Sequence, residues 1–267
     1  MSGLGLAWRV APPVGGRARK MVARNAWAAR HVWWVPLSGL AEPVFYLLSI
    51  GIGIGKLVGG IEGPNHHVYP YATYVAPALL AASAMNGAIY ECTFNVFFKL
   101  KYAKVYDAVL ATPMAAMDVA RGEIATALLR GVAYSTVFVV MMAGLGDVSS
   151  AWAALALPAA VLIGFAFAAV GMAATTYMRG WTDFDLVQLV LLPLFLFSTT
   201  FYPLSTYPRW LQIVVQCTPL YHGVVLERSL TLGLVGPALI GHAFYLAAMG
   251  VLGVTVAGRR IRMLLLS

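Results

Sequence analysis

Six runs of mostly apolar residues constrain this chain more than anything else in it: roughly 34–56, 70–98, 123–146, 151–178, 184–204 and 235–257. A helix needs about 20 such residues to cross the hydrocarbon core of a bilayer, and each run has that length. Charged residues make up only 10% of the chain, whereas a soluble domain carries about 25%. So few charges cannot cover the surface of a water-soluble globule, so lipid is the solvent for most of the chain. The expected fold is all-α integral membrane with six transmembrane helices. Pro70 suits the first helical position of the second span. Ala and Gly throughout the fourth let helices approach closely. Glu42-Pro43 predicts a kink or an interfacial start in the first.

Lys and Arg set the orientation. With six spans both termini share a side, and that side holds Arg9, Arg17, Arg19, Lys20, Arg24 and Arg30 in the tail. It also gathers Lys99, Lys101, Lys104 and Arg121 between spans two and three, then Arg179, Arg259, Arg260 and Arg262. The other side has only Lys56, Arg209 and Arg228. The basic side is the expected cytoplasm, which makes the chain a multi-pass protein of the cell (cytoplasmic) membrane. The net charge of +8 then reads as topology and contact with anionic lipid, not as nucleic-acid binding. The basic N-terminus is too long for a cleaved signal peptide, so the first span is expected to be retained.

The parts outside the spans are more specific. Residues 1–33 form a cytoplasmic tail whose Arg17–Trp34 stretch suits an amphipathic helix on the inner surface, with Trp27, Trp33 and Trp34 at headgroup level. Residues 34–267 form one membrane domain. Between spans two and three, Tyr102, Val105, Tyr106, Val109 and Leu110 fall on one face of a short amphipathic helix. Thr112-Pro113 then reads as the N-cap and first position of a second helix feeding span three. Between spans five and six, Pro208–Cys217 and Pro219–Leu232 are apolar but, at about 10 and 14 residues, too short to cross. They predict two outer re-entrant helices, with Gly233 as the stop signal of the second.

No segment supplies a nucleotide-binding engine. The string Gly51-Ile52-Gly53-Ile54-Gly55-Lys56-Leu57 lacks the earlier Gly of a P-loop, since Ile50 stands there, and has Leu where Mg²⁺ needs a hydroxyl. His66-His67 has no accompanying ligand pattern for a metal. Cys92 and Cys217 fall on opposite sides of the membrane and are not expected to pair. Asp183 and Asp185 read as capping of span five. Glu42, Glu91 and Arg130 are ionisable groups within spans, where an unpaired charge is costly, so pairing or snorkelling is expected. His242 is placed for an interhelical hydrogen bond. Ser83, Ser198 and Ser205 have no His or acid nearby in sequence.

Several stretches together resemble the ABC-2 type permeases, in the branch containing nodulation-factor (lipo-oligosaccharide) exporters and daunorubicin-resistance permeases. They are Glu42-Pro43-Val44-Phe45-Tyr46-Leu47-Leu48, residues 76–86 (Ala76-Pro77 to Asn86), Tyr106-Asp107-Ala108-Val109-Leu110-Ala111-Thr112-Pro113, Gly122-Glu123-Ile124, residues 194–204 (Leu194 to Leu204) and Pro219-Leu220-Tyr221-His222. Asp107 stands where that family often has Glu, and Thr199 near where it often has Gly. The resemblance implies a permease subunit of an ATP-driven exporter, moving an amphiphile such as a lipid-linked saccharide, glycolipid or hydrophobic drug. It implies a second permease copy, identical or paralogous, and two cytoplasmic ABC ATPase subunits that bind the ATP and Mg²⁺. No catalytic residue, cofactor or metal is assigned to this chain, and no nucleic acid is an expected partner. The family's coupling helix maps to Tyr102, Val105, Tyr106, Asp107, Val109, Leu110, Thr112 and Pro113. Its outer gate maps to Phe197, Thr199, Phe201, Tyr202, Leu220, Tyr221 and His222. A secondary, ion-coupled transporter would instead require an internal repeat and midplane ionisable residues. A membrane-embedded lipid-modifying enzyme would require a convergent polar cluster at one leaflet.

Overall fold

The computed structural model describes residues 14–29, 44–63 and 67–266. Its backbone is almost entirely helical. Helix α1 covers Val14–Ala29, and α2 covers Val44–Val58 with its middle turns, Leu47–Ile54, wound as π-helix. A short antiparallel hairpin follows, β1 Gly60–Glu62 against β2 Val68–Pro70, in register Ile61 to Tyr69. Then come α3 Tyr71–Lys101, with a π-turn at Glu91–Asn95, and α4 Val105–Leu110. After these lie α5 Ala116–Leu145, α6 Ala151–Thr175 and α7 Asp183–Phe197. The chain closes with α8 Arg209–Cys217, α9 Pro219–Leu232 and α10 Ala238–Leu266.

Among the described residues four helices, α3, α5, α6 and α10, are long and apolar enough to cross a bilayer. Of the expected first span, residues 34–43 lie outside the described residues, as does the Glu42-Pro43 kink. The expected fifth span is a helix of 15 residues that stops at Phe197, not at 204. Several boundaries also differ from expectation. Helix α5 begins at Ala116, seven residues before the predicted start, because Asp118 turns back to accept the Ala115 N–H (3.1 Å) and caps it. Thr112 does not cap that helix: its Oγ1 donates to the Val109 carbonyl (2.6 Å), closing the previous turn. Helix α10 runs on to Leu266, so Arg259, Arg260 and Arg262 sit on its last turns. Pro70 ends β2 and flanks α3 instead of occupying its first turn. The stop expected at Gly233 (φ 78°) holds, and Gly146 (φ 80°) ends α5 in the same way, since a left-handed residue lets the next amide return to the last turn.

Helix α3 forms the centre, with 78% of its most apolar stretch buried, whereas α10 buries 17% and turns the rest outward. Burial of Val75, Leu80, Met85 and Cys92 on α3 and of Ile163, Phe167 and Met172 on α6 joins the two in one core. Helices α6 and α10 meet almost backbone to backbone: a Cβ added at Gly253 would lie 2.7 Å from the Ala169 carbonyl carbon. This is the close approach that small residues permit in lipid, where burial of apolar area alone gives no net attraction. Helix α7 is different. Leu186, Leu189, Val190 and Leu192 are all exposed, Leu189 at 68%, so this face has no partner among the described residues.

The bundle has two recognisable ends. Lys99, Lys101, Lys104 and Arg121 mark a basic end, where α3 runs out and α5 begins. The β-hairpin marks the other, where Asp147 beyond α5 accepts a bond from Thr73 at the start of α3 (2.9 Å).

Candidate functional site

At the basic end the chain converges on Glu123, in the second turn of α5. Lys99 Nζ, near the end of α3, donates to both carboxylate oxygens (3.0 and 2.8 Å). Asn25 Nδ2 of α1 donates to Glu123 Oε2 (3.0 Å) and to Thr126 Oγ1 (3.1 Å). Thr126 Oγ1 in turn donates to the Gly122 carbonyl (2.8 Å). Gly122 is where α1 lies closest to α5, since a Cβ there would sit 2.6 Å from Met21 Cβ. The two charges neutralise one another, and the amide fills a remaining acceptor site, so the cost of burying the carboxylate is met. One carboxylate therefore ties α1, α3 and α5 together.

Helix α4 is bound to the same junction by Tyr106, whose ring is 1% exposed. Burial, and next the Glu123 carboxylate, push its phenol well above the ordinary tyrosine range. The expected coupling residues thus divide. Tyr106 faces inward, Val105 and Val109 are half-buried, and Asp107, Thr112 and Pro113 are exposed beside Ala108. The side chain of Leu110 lies outside the described residues. Tyr102 is not on this helix at all: Lys104 adopts a left-handed conformation (φ 45°) that breaks the chain between them. Its ring stacks on Trp181 (centroids 5.4 Å apart), in a cluster with Phe97 and Phe98.

At the hairpin end the organising residue is Arg228 of α9. Its Nε donates to the Tyr74 carbonyl (3.1 Å), and Nη2 donates to the carbonyls of Thr199 (2.7 Å) and Thr200 (3.4 Å). The guanidinium also lies 3.8 Å from the centroid of the Tyr74 ring, a cation–π arrangement. Thr199 has φ 59°, a left-handed conformation unusual for a β-branched residue, at the point where α7 has just ended. That backbone aims consecutive carbonyls at the arginine. The adjacent Glu227 is fully buried, and neither carboxylate oxygen has a hydrogen-bond partner among the described residues.

The expected gate residues gather around this arginine in two groups. Phe197, Phe201 and Tyr202 join Tyr207 and Phe195 in a chain of ring contacts (5.3 to 6.2 Å). Tyr221 and His222 join His242 and Tyr245, with His222 Nδ1 2.7 Å from His242 Nδ1 and Tyr245 stacked on His222 at 4.0 Å. His242 thus makes its interhelical bond, although it sits in the second turn of α10 and not deep within it. Leu220 is fully buried, and Ser198 Oγ lies 3.3 Å from Thr218 Oγ1, linking the end of α7 to the start of α9. Beyond α5, burial raises the Asp147 carboxyl above the usual carboxylate range, against the opposing bond from Thr73.

Sequence reasoning missed the Glu123 and Arg228 junctions as sites, and a third feature altogether. A cleft of about 560 Å³ opens between α3, α5 and α7. An ion pair crosses its wall, Arg130 Nη1 of α5 to Glu91 Oε1 of α3, and Asn95 Nδ2 donates to the other Glu91 oxygen (3.0 Å). Because α5 starts early, Arg130 lies about four turns in, near mid-helix. Cys92 is buried, Cys217 is exposed, and both are free thiols. Asp183 accepts from the amides of Arg179 (2.6 Å) and Gly180 (3.3 Å), so it braces the turn before α7. Among the described residues no three His, Cys, Asp or Glu side chains form a metal-ligand cluster.

Several long apolar helices around a polar-laced core, with charge concentrated at one end, define a multi-pass α-helical membrane protein. The family model for the ABC-2 type transporter matches residues 18–231, and the chain belongs to that family as a transporter permease. It is 32% identical over 200 residues to Nodulation protein J of Rhizobium leguminosarum bv. viciae, covering 74% of each chain. It is 30% identical over 217 residues to Nodulation protein J of Sinorhizobium fredii (strain NBRC 101917 / NGR234), covering 81% of each. The family model's match, residues 18–231, runs through both junctions and the cleft.

Proposed function

We propose that this chain is the membrane half of an ATP-driven exporter of an amphiphile, working as a pair of permeases on two cytoplasmic ABC ATPases. In this reading there are six spans: one running through α2, then α3, α5, α6, α7 with the residues that follow it, and α10. Residues 1–33 form the cytoplasmic tail and 34–267 the membrane domain. The basic end faces the cytoplasm with both termini, as the Lys and Arg excess favours. Helices α8 and α9 are the outer re-entrant pair. The ATPases bind the ATP and Mg²⁺, and this chain contributes no hydrolytic residue.

The Glu123 junction is the observation that carries this reading. A short helix that only closed a loop would need no tie to three others. Here α4 is seated by Tyr106 beside the carboxylate that holds α1, α3 and α5, so a push on α4 reaches three helices at once. An ATPase that changes shape and binds the two permease states unequally would thereby bias the spans between them. Its contact surface is the exposed side of α4 and the turn after it: Asp107, Ala108, Thr112 and Pro113. Val105 and Val109 lie at the edge of that surface, and Tyr102 beside it. At the far end, Phe197, Thr199, Phe201, Tyr202, Leu220, Tyr221 and His222 serve as the outer gate. The exposed face of α7 suits the second permease copy.

Capture of an ABC ATPase co-expressed with this chain tests the assignment. Asp107→Lys with Ala108→Glu, both on exposed positions, is expected to reduce capture at least about tenfold while leaving membrane insertion intact, because charge mismatch at an interface costs more than 1.4 kcal/mol. Undiminished capture by that variant would refute the coupling role of α4.

A further inference from the structure

Among the described residues a single side-chain hydrogen bond joins α9 to α10, and both its ends are histidines. Nδ1 of His222, in the first turn of α9, lies 2.7 Å from Nδ1 of His242, in the second turn of α10. Tyr245 stacks on His222 at 4.0 Å, and Tyr221 stands edge-on to both rings, at 5.6 and 6.1 Å. The end of α8 joins the same patch. The Tyr245 hydroxyl donates to the Cys217 carbonyl (3.0 Å), and the backbone of Gln216 bonds the His222 ring. Three elements of the hairpin end thus meet on this pair. Both rings are half-buried, so water still reaches them.

A bond between two Nδ1 atoms counts protons. It needs a hydrogen on one and a lone pair on the other, because each ring nitrogen can supply only one of the two. With both rings neutral, complementary tautomers meet that need. With one proton added, an imidazolium donates to a neutral ring, and such charge-assisted bonds are shorter and stronger. With two added, hydrogen faces hydrogen and two positive charges sit side by side. The doubly charged pair cannot keep the contact.

The surroundings do nothing to compensate a second charge. No carboxylate acts on either ring. On α9 itself Glu227 and Arg228 lie five and six residues further on, about 8 and 9 Å along the helix, and Arg228 is spent on the carbonyls of Tyr74, Thr199 and Thr200. Helix α8 brings Arg209 at its far end and the Cys217 thiol, and α10 brings Tyr245. Helix α3 brings only the phenols of Tyr71 and Tyr74 at this end, α6 has no titratable side chain, and the last ten residues of α5 have none. Asp147 beyond α5 is bonded to Thr73.

We propose that His222 and His242 form a proton-operated catch: the pair holds α9 to α10 with no added proton or with one, and releases it with two. This rests on the permease reading above, which puts the hairpin end outside and His222 in the gate, and it adds a regulator to that gate. Acid in the outer medium then loosens the start of α9 and favours the open gate, whereas a neutral medium keeps it shut. The protons come from the outer medium and return to it. The catch therefore senses external pH without moving a proton across the membrane.

Amide hydrogen exchange of the purified full chain in phosphatidylcholine nanodiscs tests this. The parent and His242→Gln are compared at about pH 7.5 and at about pH 5, either side of the usual histidine value. Comparing the two proteins at one pH cancels the intrinsic pH dependence of exchange, and Gln keeps a polar group that cannot take the charge. At the higher pH the parent's amides over residues 216–232 are expected to exchange no faster than the variant's. At the lower pH the order inverts, the parent being faster by at least about fourfold, the factor that two unit charges at the 4.9 Å ring separation give even in water. His222→Gln is expected to invert the order in the same way, and it stands in if His242→Gln is unstable. A purely structural contact would leave the order the same at both pH values, and that result overturns the proposal. A second measurement needs no variant. The chain has five histidines, and in the parent labelled with ¹⁵N-histidine two of the rings are expected to titrate in linked steps more than about one pH unit apart. Five independent single steps would overturn the proposal equally. No ATPase is present in either experiment, so failure removes the catch while ATPase capture still judges the permease reading.

Discussion

The two ends of the bundle each bury a charge, and they satisfy it in opposite ways. At the basic end the charge is the Glu123 carboxylate, and its partners are side chains, Lys99 and Asn25. At the hairpin end the charge is the Arg228 guanidinium, and its hydrogen-bond partners are backbone carbonyls, those of Tyr74, Thr199 and Thr200. Side-chain partners can rotate, and Lys99 is 15% exposed, so water can relieve part of a broken pair there. Carbonyls cannot turn away without moving the helix end that carries them. The Glu123 junction is therefore suited to transmit displacement between elements, whereas the Arg228 junction fixes the break after α7 against α3 and α9. In the proposed cycle the first is a lever and the second a latch.

Removing the latch should show the larger effect. Arg228→Ala leaves three carbonyls facing an apolar space, each losing a bond to a charged donor. The loss is partly offset because no charge remains buried, which leaves an expected destabilisation of about 2–4 kcal/mol. Arg228→Lys should recover little of it, because a single ammonium cannot span the fork from Tyr74 to Thr199. The melting temperature in detergent measures this. A variant as stable as the parent would show that the carbonyls find other donors and that the latch is not one.

Glu123→Ala tests the lever. It frees Lys99 and Asn25 together, and with Lys99 able to reach water the expected cost is about 1–3 kcal/mol, smaller than at Arg228. Its more telling signature is local. Helix α1 then keeps only the Asn25–Thr126 bond to α5, so trypsin should cleave at Arg17, Arg19, Lys20 or Arg24 sooner than in the parent, with the rest of the bundle resistant. Glu123→Gln keeps an acceptor for Asn25 and should fall between. Simultaneous loss of protection everywhere would mean that the junction stabilises the whole bundle and does not couple its parts.

The legibility of these features from sequence follows the same division. Four of the six long apolar runs, the stop at Gly233 and the short helix around Val105–Leu110 are local properties, written in period and in turn residues, and they stand in the structure. The surface of that helix is harder to read. An apolar stripe such as Val105, Tyr106 and Val109 shows that one side of a helix is covered, but not by what, and here the chain itself covers Tyr106. The Glu91–Arg130 pair is separated by 39 residues, so only the expectation that intramembrane charges find partners hinted at it. Arg228 gave no such hint, since it looked like a flank residue of a loop and its partners are carbonyls, which every residue has. Thr199 carried a faint signal: the ABC-2 family often has Gly near it, and its φ of 59° explains why a glycine suits that place. The cleft has no sequence signature because its lining alternates between helices that meet only in three dimensions.

Glu227 sharpens the comparison most, although its effect should be the smallest. It is as deeply buried as Arg228, on the next residue of the same helix, yet the guanidinium is not among its partners and neither of its oxygens is hydrogen-bonded among the described residues. If every buried ionisable group in this domain were a structural tie, Glu227→Gln would destabilise like Arg228→Ala. If the hydrogen-bond geometry is what matters, there is no bond to lose. Glu227→Gln should then change stability by less than about 1 kcal/mol, and Glu227→Met, which fills a similar volume without a polar group to desolvate, should raise the melting temperature. A drop comparable to that of Arg228→Ala would show that the carboxyl has a partner in the assembled transporter, with the second permease copy the first place to look for it.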